Sequence, residues 1–419
     1  MTTPGTPRLI SVGISPVGAK YFAKAMRSAG FEPVVVSKPD GYVGQFLRGL
    51  LDCACLPADI DDPGSVATAL RAQAHLIDDS TIITSPFDEV FPVIAAATGD
   101  LAARTPDPVF AQLASKAFVA SLIPEFSPET VILDPAKLPA RIPAVSAPEL
   151  ILKPSLGTGG LGVRKFRPDA VTPASLAAAI SASAVPNANA QPWLLQQSVD
   201  GDMISLEAYF RNGDLRVAGY SRRTRVGSTA VTTTFPVDST LPASVRARAE
   251  MAVSVLASRA GFASGYFHAE FLTAGDDVYL IDANMGRLSG AVVAEQMALA
   301  HGVQAEDILA HSLLLPFDPC FEAPAYRPAA ALPTVVGYLY GLRDGGVIRS
   351  VHLPLESPGC RHTRYIPDGQ YVPPISTSGY ARIGMISGFR EDCDSFINRI
   401  VIHTDDGEQP AYCPFPGRR

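Results

Sequence analysis

The sequence predicts a multidomain protein of mixed class, α/β in its first third and α+β beyond it. Three observations carry this. Strand-like and helix-like segments alternate through the first hundred residues, a glycine loop and several hairpins follow, and a Pro- and Gly-rich region with short strand-like runs begins near residue 316. Alternating β and α at that spacing implies a parallel sheet covered by helices, whereas successive hairpins imply antiparallel sheets. With about 150 residues per domain as a prior, 419 residues suggest two or three domains.

In order, residues 9–14 form a short apolar run closed by Ser15-Pro16, and residues 18–30 carry Tyr21, Phe22, Ala25 and Met26 at helical spacing. Residues 31–36 read as the next strand, 63–74 as a helix, 81–84 as a strand and 88–99 as a helix. Gly13 and Gly18 do not make the Gly-x-Gly-x-x-Gly of a dinucleotide site, and no P-loop Lys-Ser/Thr follows. From about residue 105 a helical segment with Lys116 leads into a Pro-rich region at 124–148. Strands at 149–153 and 162–166 flank the glycine loop, and an alanine-rich helix spans 173–184. Residues 193–197, 204–210 and 215–220 read as antiparallel strands, with Asn212-Gly213 as a tight turn. A helix at 242–261 precedes a hairpin at 265–284, and short strands follow at 334–340, 347–352 and 382–387. The expected boundaries are 1–104, 105–315 with a flap subdomain at about 120–200, and 316–419 as an α+β lid or accessory domain.

Composition narrows the function. Lys plus Arg is 34 and Asp plus Glu is 41, a net charge of −7 with no basic run, which argues against nucleic acid as a partner. Hydrophobic residues make up 47% and charged residues 18%, a packed globular balance. No apolar run approaches the roughly 18 residues needed to cross a bilayer, and the first residues lack a signal-peptide pattern. A soluble, cytoplasmic protein with no membrane partner is expected. The six cysteines are scattered, without Cys-x-x-Cys pairs, and read as small apolar residues in a reducing compartment.

Two segments carry chemistry. In the first, Lys153 ends a strand and Ser155, Gly157, Thr158, Gly159, Gly160 and Gly162 follow in a loop. Glycines let several backbone N–H groups converge on an anion, and the lysine adds a point charge for phosphate. An ordinary Gly-rich hairpin is the competing reading. Lys116 is a second candidate phosphate lysine. In the second segment, Glu270 and Asp282 lie on the two arms of a hairpin turned at Gly275-Asp276-Asp277, and Asn284 shares the face of Asp282. Two carboxylates and an amide oxygen are hard ligands suited to Mg²⁺. Arg287 follows in the loop, within reach of a phosphoryl group.

Taken together these segments resemble the ATP-grasp superfamily over nearly the whole chain, and within it most nearly the L-amino acid ligases. The resemblance implies an N-terminal Rossmann-like domain, a flap domain and an antiparallel-sheet catalytic domain, with ATP between two sheets. It implies phosphate contacts from Lys116, Lys153 and the loop at 155–162, and an adenine-lining segment at Gln196, Gln197 and Val199. Mg²⁺, with Mn²⁺ as the alternative, would bind Glu270, Asp282 and Asn284, and Arg287 would steady the transferring phosphoryl group. The stretch ending at Glu207 resembles the strand motif of such ligases, His268-x-Glu270 their His-x-Glu, and Arg287-x-x-Gly290 their Arg-x-x-Gly. The pair of segments at 367–372 and 382–388 resembles their C-terminal domain.

The chain departs from the pattern where Asp282 replaces a glutamate, Gln196-Gln197 replaces an acidic pair, and Gly201-Asp202-Met203 lacks the ribose-binding acid, a role left to Asp202 or Glu207. The implied reaction is ATP-dependent joining of a small carboxylate to an amine, commonly an amino acid, through an acylphosphate. The alternatives are a carboxylase, a purine- or cofactor-pathway ligase, or an inactive nucleotide-binding protein. Arg223, within the cluster Arg222, Arg223 and Arg225, is a candidate for a substrate carboxylate, with a solvated basic turn as the competing reading. His268, Ser289 and Gly290 are candidates for contact with the acyl or amine substrate. A homodimer is the assembly common among such ligases.

Overall fold

The computed structural model describes residues 5–38, 49–157, 160–226, 229–288, 292–328, 331–355, 359–376 and 381–413. The first layer is a parallel sheet of β1 (Arg8–Val12), β2 (Glu32–Ser37), β3 (Ala54–Pro57) and β4 (Ile82–Thr84), in the order β3-β2-β1-β4. Ser15 does more than close β1. Its hydroxyl accepts from the Gly18 amide and Pro16 opens the helix Pro16–Ser28, so that helix starts earlier than its apolar spacing suggests. Residues 88–90 form a 3-10 turn before the helix Phe91–Ala97.

A second, antiparallel sheet contains β5 (Thr130–Leu133), β6 (Leu150–Pro154), β7 (Arg164–Phe166) and β8 (Trp193–Gln197), in the order β5-β8-β6-β7. The helix Pro173–Ser181 lays Leu176 and Ile180 on the buried side of this sheet, against Leu152, Trp193 and Leu195.

The largest sheet has eight strands. Its first five in chain order are β9 (Asp202–Arg211), β10 (Asp214–Val226), β11 (Thr229–Phe235), β12 (Gly265–Ala274) and β13 (Asp277–Asp282). From beyond residue 316 come β14 (Val335–Tyr340), β16 (Cys360–Arg364) and β18 (Gly384–Phe389), and the strand order is β13-β12-β9-β10-β11-β14-β18-β16. The C-terminal segment therefore extends the large sheet through the β11–β14 pairing. Its remaining strands, β15 (Gly346–His352), β17 (Tyr371–Val372), β19 (Val401–Thr404) and β20 (Gly407–Pro410), make a separate small sheet.

Pleating divides the large sheet into two faces. Ile204, Leu206, Ala208, Ala269, Phe271 and Leu280 share a core with Val245, Ala249, Val253 and Leu256 of the helix Ala243–Ala260. The other face carries Ser205, Glu207, Ser221, Arg223, His268 and Glu270. Six free cysteines are present; Cys360, Cys393 and Cys413 are buried, Cys53 and Cys55 half-buried, and Cys320 is exposed. Among the described residues, no helix is long and apolar enough to cross a membrane.

Candidate active site

The end of β6 and the end of β13 meet where two antiparallel sheets face each other. Lys153 on β6 donates from Nζ to the Ile281 carbonyl at 2.9 Å. Lys116 begins the helix Lys116–Leu122, which is capped by the Ser115 hydroxyl. Its Nζ donates to the Gly157 carbonyl at 2.8 Å and lies 3.3 Å from Asp282 Oδ2. Ser155, fully buried, ties the loop to that helix. Its Oγ accepts from the Ala117 amide and lies 2.7 Å from Ser115 Oγ, while its carbonyl accepts from the Lys116 amide. The cleft so formed is lined by Lys116, Lys153, Gln196, Leu280, Asp282 and Ala283.

Charge in the cleft is finely balanced. Burial pushes the Lys153 ammonium down to about 8, with Lys116 adding to the depression and Asp282 opposing it. Burial also disfavours the Lys116 charge, but Asp282 and Asp88 outweigh it and raise that lysine above its usual range. Gly160 and Gly162 adopt positive φ, as a loop of this kind requires. Thr158 and Gly159 lie outside the described residues, as do Ser289 and Gly290.

Glu270 and Asp282 are register partners on β12 and β13, directly opposite each other. Glu270 Oε1 accepts from Arg223 Nη1 at 2.6 Å and lies 3.2 Å from His268 Nε2. Burial works against its charge, yet Arg223 and His268 prevail and hold the carboxyl well below the usual carboxylate range. Two opposed carboxylates, one of them held ionised, are hard oxygen donors that fit a divalent cation completing its shell from phosphate and water. Among the described residues no group of three His, Cys, Asp or Glu side chains is placed to hold a metal alone. Asn284 departs from the expected donor set. It has φ of 34°, its Nδ2 donates to the His268 carbonyl at 3.1 Å, and its Oδ1 accepts from Arg287 Nη2 at 2.6 Å. It shapes the turn and orients Arg287.

Three further expectations are corrected. Glu207 is fully buried mid-sheet, 2.7 Å from His268 Nδ1 and accepting from Ser221, so it is no ribose ligand. Asp202 is exposed at the start of β9. His268 is 1% exposed with both ring nitrogens engaged, Nε2 lying 2.8 Å from Arg223 Nη2, so it positions Glu270 and Arg223 and does not present itself to a substrate. Glu207 also raises His268 above its usual range, against the effect of burial. The arginine cluster divides: Arg223 bonds Glu270 and His268, Arg222 pairs in register with Ile204 and so takes the opposite face, and Arg225 is exposed. Gln196 lines the cleft and donates to Thr130 Oγ1 at 2.7 Å, whereas Gln197 and Val199 are half-buried at the strand end and the loop after it.

Asp88 and Glu89, which pattern reading passed over, complete the centre. Arg287 Nε donates to Asp88 Oδ1 from the N-terminal layer. Burial opposes ionisation of Asp88, but Arg287 holds it below the usual range; burial and Asp88 together lift Glu89 to about 7. Both follow β4, and the carboxyl ends of parallel strands are where α/β sheets place ligands, the one signal that pointed here. Gly286, with φ of 95°, lets the chain pass Phe110 and Phe91; a Cβ there would overlap both rings. Gly286→Ala is expected to cost about 3 kcal/mol of stability, checked by denaturant unfolding.

This architecture, with a cleft between two antiparallel sheets and a parallel-sheet layer behind it, is the ATP-grasp fold. Residues 146–295 match the family model of the ATP-grasp domain. It is similar to L-amino acid ligase from Bacillus licheniformis, at 14% identity and TM-score 0.67, covering 93% of this chain and 95% of that one. It is also similar to phosphoribosylglycinamide synthetase from Anaerococcus prevotii, at 13% identity and TM-score 0.65, covering 94% and 99%. Biotin carboxylase from Campylobacter jejuni gives 15% identity and TM-score 0.64, covering 95% and 92%. Among curated proteins no sequence matches.

Proposed function

We propose that the chain is an ATP-dependent ligase that joins a small carboxylate to an amine, releasing ADP and phosphate. The observation that carries this reading is the meeting of Lys116, Lys153, Glu270, Asp282 and Arg287 at one edge of two facing sheets. On this reading, 1–104 forms the Rossmann-like unit, 105–315 the ATP-grasp unit, and the remainder an accessory unit lending strands to the catalytic sheet.

A carboxylate acylates an amine only after its oxygen becomes a good leaving group, and transfer of the γ-phosphoryl group supplies this. On this reading the lysines hold the triphosphate by charge, and Arg287, fixed by Asp88 and Asn284, offsets charge on the moving phosphoryl group. A divalent ion at Glu270 and Asp282 would add Lewis-acid neutralisation of the phosphate oxygens. On this reading the glycine-rich segment after Lys153 would shield the activated acid from water.

The test is a phosphate-release screen of carboxylic acids paired with amines. ADP and phosphate formed only with both partners, together with an amide product, supports the ligase. Turnover dependent on bicarbonate, or on a phosphorylated sugar amine, would replace it with another ATP-grasp reaction.

Lys153 gives a pH signature. Its ammonium is present below about 8 and lost above it. Affinity for metal-free ADP is therefore expected to fall about tenfold as pH rises from 7 to 9.5. Lys153→Arg, charged throughout, should flatten that profile in calorimetry.

A further inference from the structure

A second cavity shares the turn after β13 with the cleft at Lys116 and Lys153. Asp282 and Ala283 line the cleft, whereas Gly286, Arg287 and Leu288 line this open-mouthed cavity of about 660 Å³. The parallel sheet sets its position. In the order β3-β2-β1-β4 the winding reverses between β1 and β4, and α/β sheets take ligands outside the carboxyl ends of their strands at such a point. Ile14 and Ser15 follow β1 there, and Pro86 and Phe87 follow β4. Gly13, with φ of 80°, makes room for Phe87, since a Cβ would fall 2.8 Å from that ring. The helix Ala305–Leu314 adds Leu309 and Leu313 to the wall.

The lining is apolar but for one charge. Ile14, Phe22, Phe87, Leu288, Leu309 and Leu313 supply its hydrocarbon surface. Its hydroxyls are engaged within the chain: Ser11 donates to the Gly13 carbonyl, Ser312 to the Leu309 carbonyl and Tyr21 to Glu295, while Ser15 accepts from the Gly18 amide. Among the described residues no carboxylate and no lysine lines the cavity, and Arg287 is its one charged group. Arg287 donates from Nε to Asp88 and from Nη2 to Asn284, and its Nη1 bonds no described residue. A carboxylate accepting from Nη1 would stand beside the phosphoryl group that the same arginine would steady. An ammonium here would lose water and find no counter-charge, and a phosphate would meet a single cation. A cavity of this size, apolar with one polar anchor, suits a small organic ligand.

Resting on the ligase reading above, we propose that this cavity binds the carboxylic acid substrate, and that the acid is apolar and lacks an α-amino group, its carboxylate at Arg287 and its hydrocarbon tail against Phe87 and Leu309. Amino acids are then poor acyl donors, and tail length governs the choice among acids.

The test uses the full chain with ATP, Mg²⁺ and hydroxylamine, which displaces phosphate from an activated acid to give a hydroxamate. Straight-chain acids from acetate to octanoate are compared, and 3-phenylpropionate is set against phenylalanine. We expect kcat/KM to rise about threefold per methylene up to the length the cavity holds, and 3-phenylpropionate to exceed phenylalanine about tenfold or more. Leu309→Phe should move the optimum to a shorter acid and Leu309→Ala to a longer one, opposite shifts that a loosened fold would not give. Calorimetry of 3-phenylpropionate with a non-hydrolysable ATP analogue reads binding without turnover. Equal use of phenylalanine and 3-phenylpropionate, or an optimum that neither variant moves, overturns the cavity as the acid site while hydroxamate formation leaves the ligase reading standing. Binding without hydroxamate from any acid overturns the ligase reading and leaves an apolar-acid site. Neither binding nor hydroxamate removes both.

Discussion

Asp282→Asn is expected to lower ATP turnover about a hundredfold or more while leaving a cooperative melt. The substitution keeps size and shape and removes one charge from the pair beside Lys116 and Lys153. Lys116 loses its 3.3 Å partner but keeps the Gly157 carbonyl, so the fold retains a bond at that ammonium. Glu270→Gln should abolish turnover as well, for a less clean reason. Arg223 and His268 both lean on Glu270, and neutralising it leaves a buried guanidinium without its counter-charge. A fall in stability is therefore expected for Glu270→Gln that Asp282→Asn does not share. Phosphate release and thermal melting measured together separate the two; near-normal turnover in Asp282→Asn would remove the cation site from this hairpin.

What pattern reading reaches, and what it misses, follows from range. The hairpin at 265–284 and the glycine loop announce themselves within a few residues, because turn chemistry and alternation are local, and their lysine and acids are found where expected. Strand β11 escapes because Thr-Ala-Val-Thr-Thr-Thr-Phe carries little apolar alternation, and its place in the sheet comes from partners on both sides. The helices Val292–His301 and Ala305–Leu314 escape because they are buried almost all round, His301 and His311 included, so no polar face marks the period. The contact between His268 and Glu207 is a cross-strand pairing of residues 61 apart in the chain. Nothing local distinguishes a histidine that meets substrate from one that steadies a carboxylate. The continuity of the large sheet into the C-terminal segment is likewise a matter of strand pairing across about a hundred residues.

Arg287→Lys is expected to slow turnover about a hundredfold while changing nucleotide affinity less than about threefold. A lysine keeps the charge but lacks the planar fork that reaches Asp88 through Nε and Asn284 through Nη2, so its ammonium is placed differently. Asp88 lies 199 residues upstream and belongs to the parallel-sheet layer, so this pair makes the alignment of the arginine depend on how that layer docks. Asp88 is thus a positioning residue, and Asp88→Asn should reproduce part of the kcat loss with little effect on KM for ATP. The double variant should be little worse than Arg287→Lys alone, because the carboxylate has no work left once the guanidinium is gone. Additive losses would mean that Asp88 acts on the reaction by a route of its own, and Glu89 beside it would then be the group to test next.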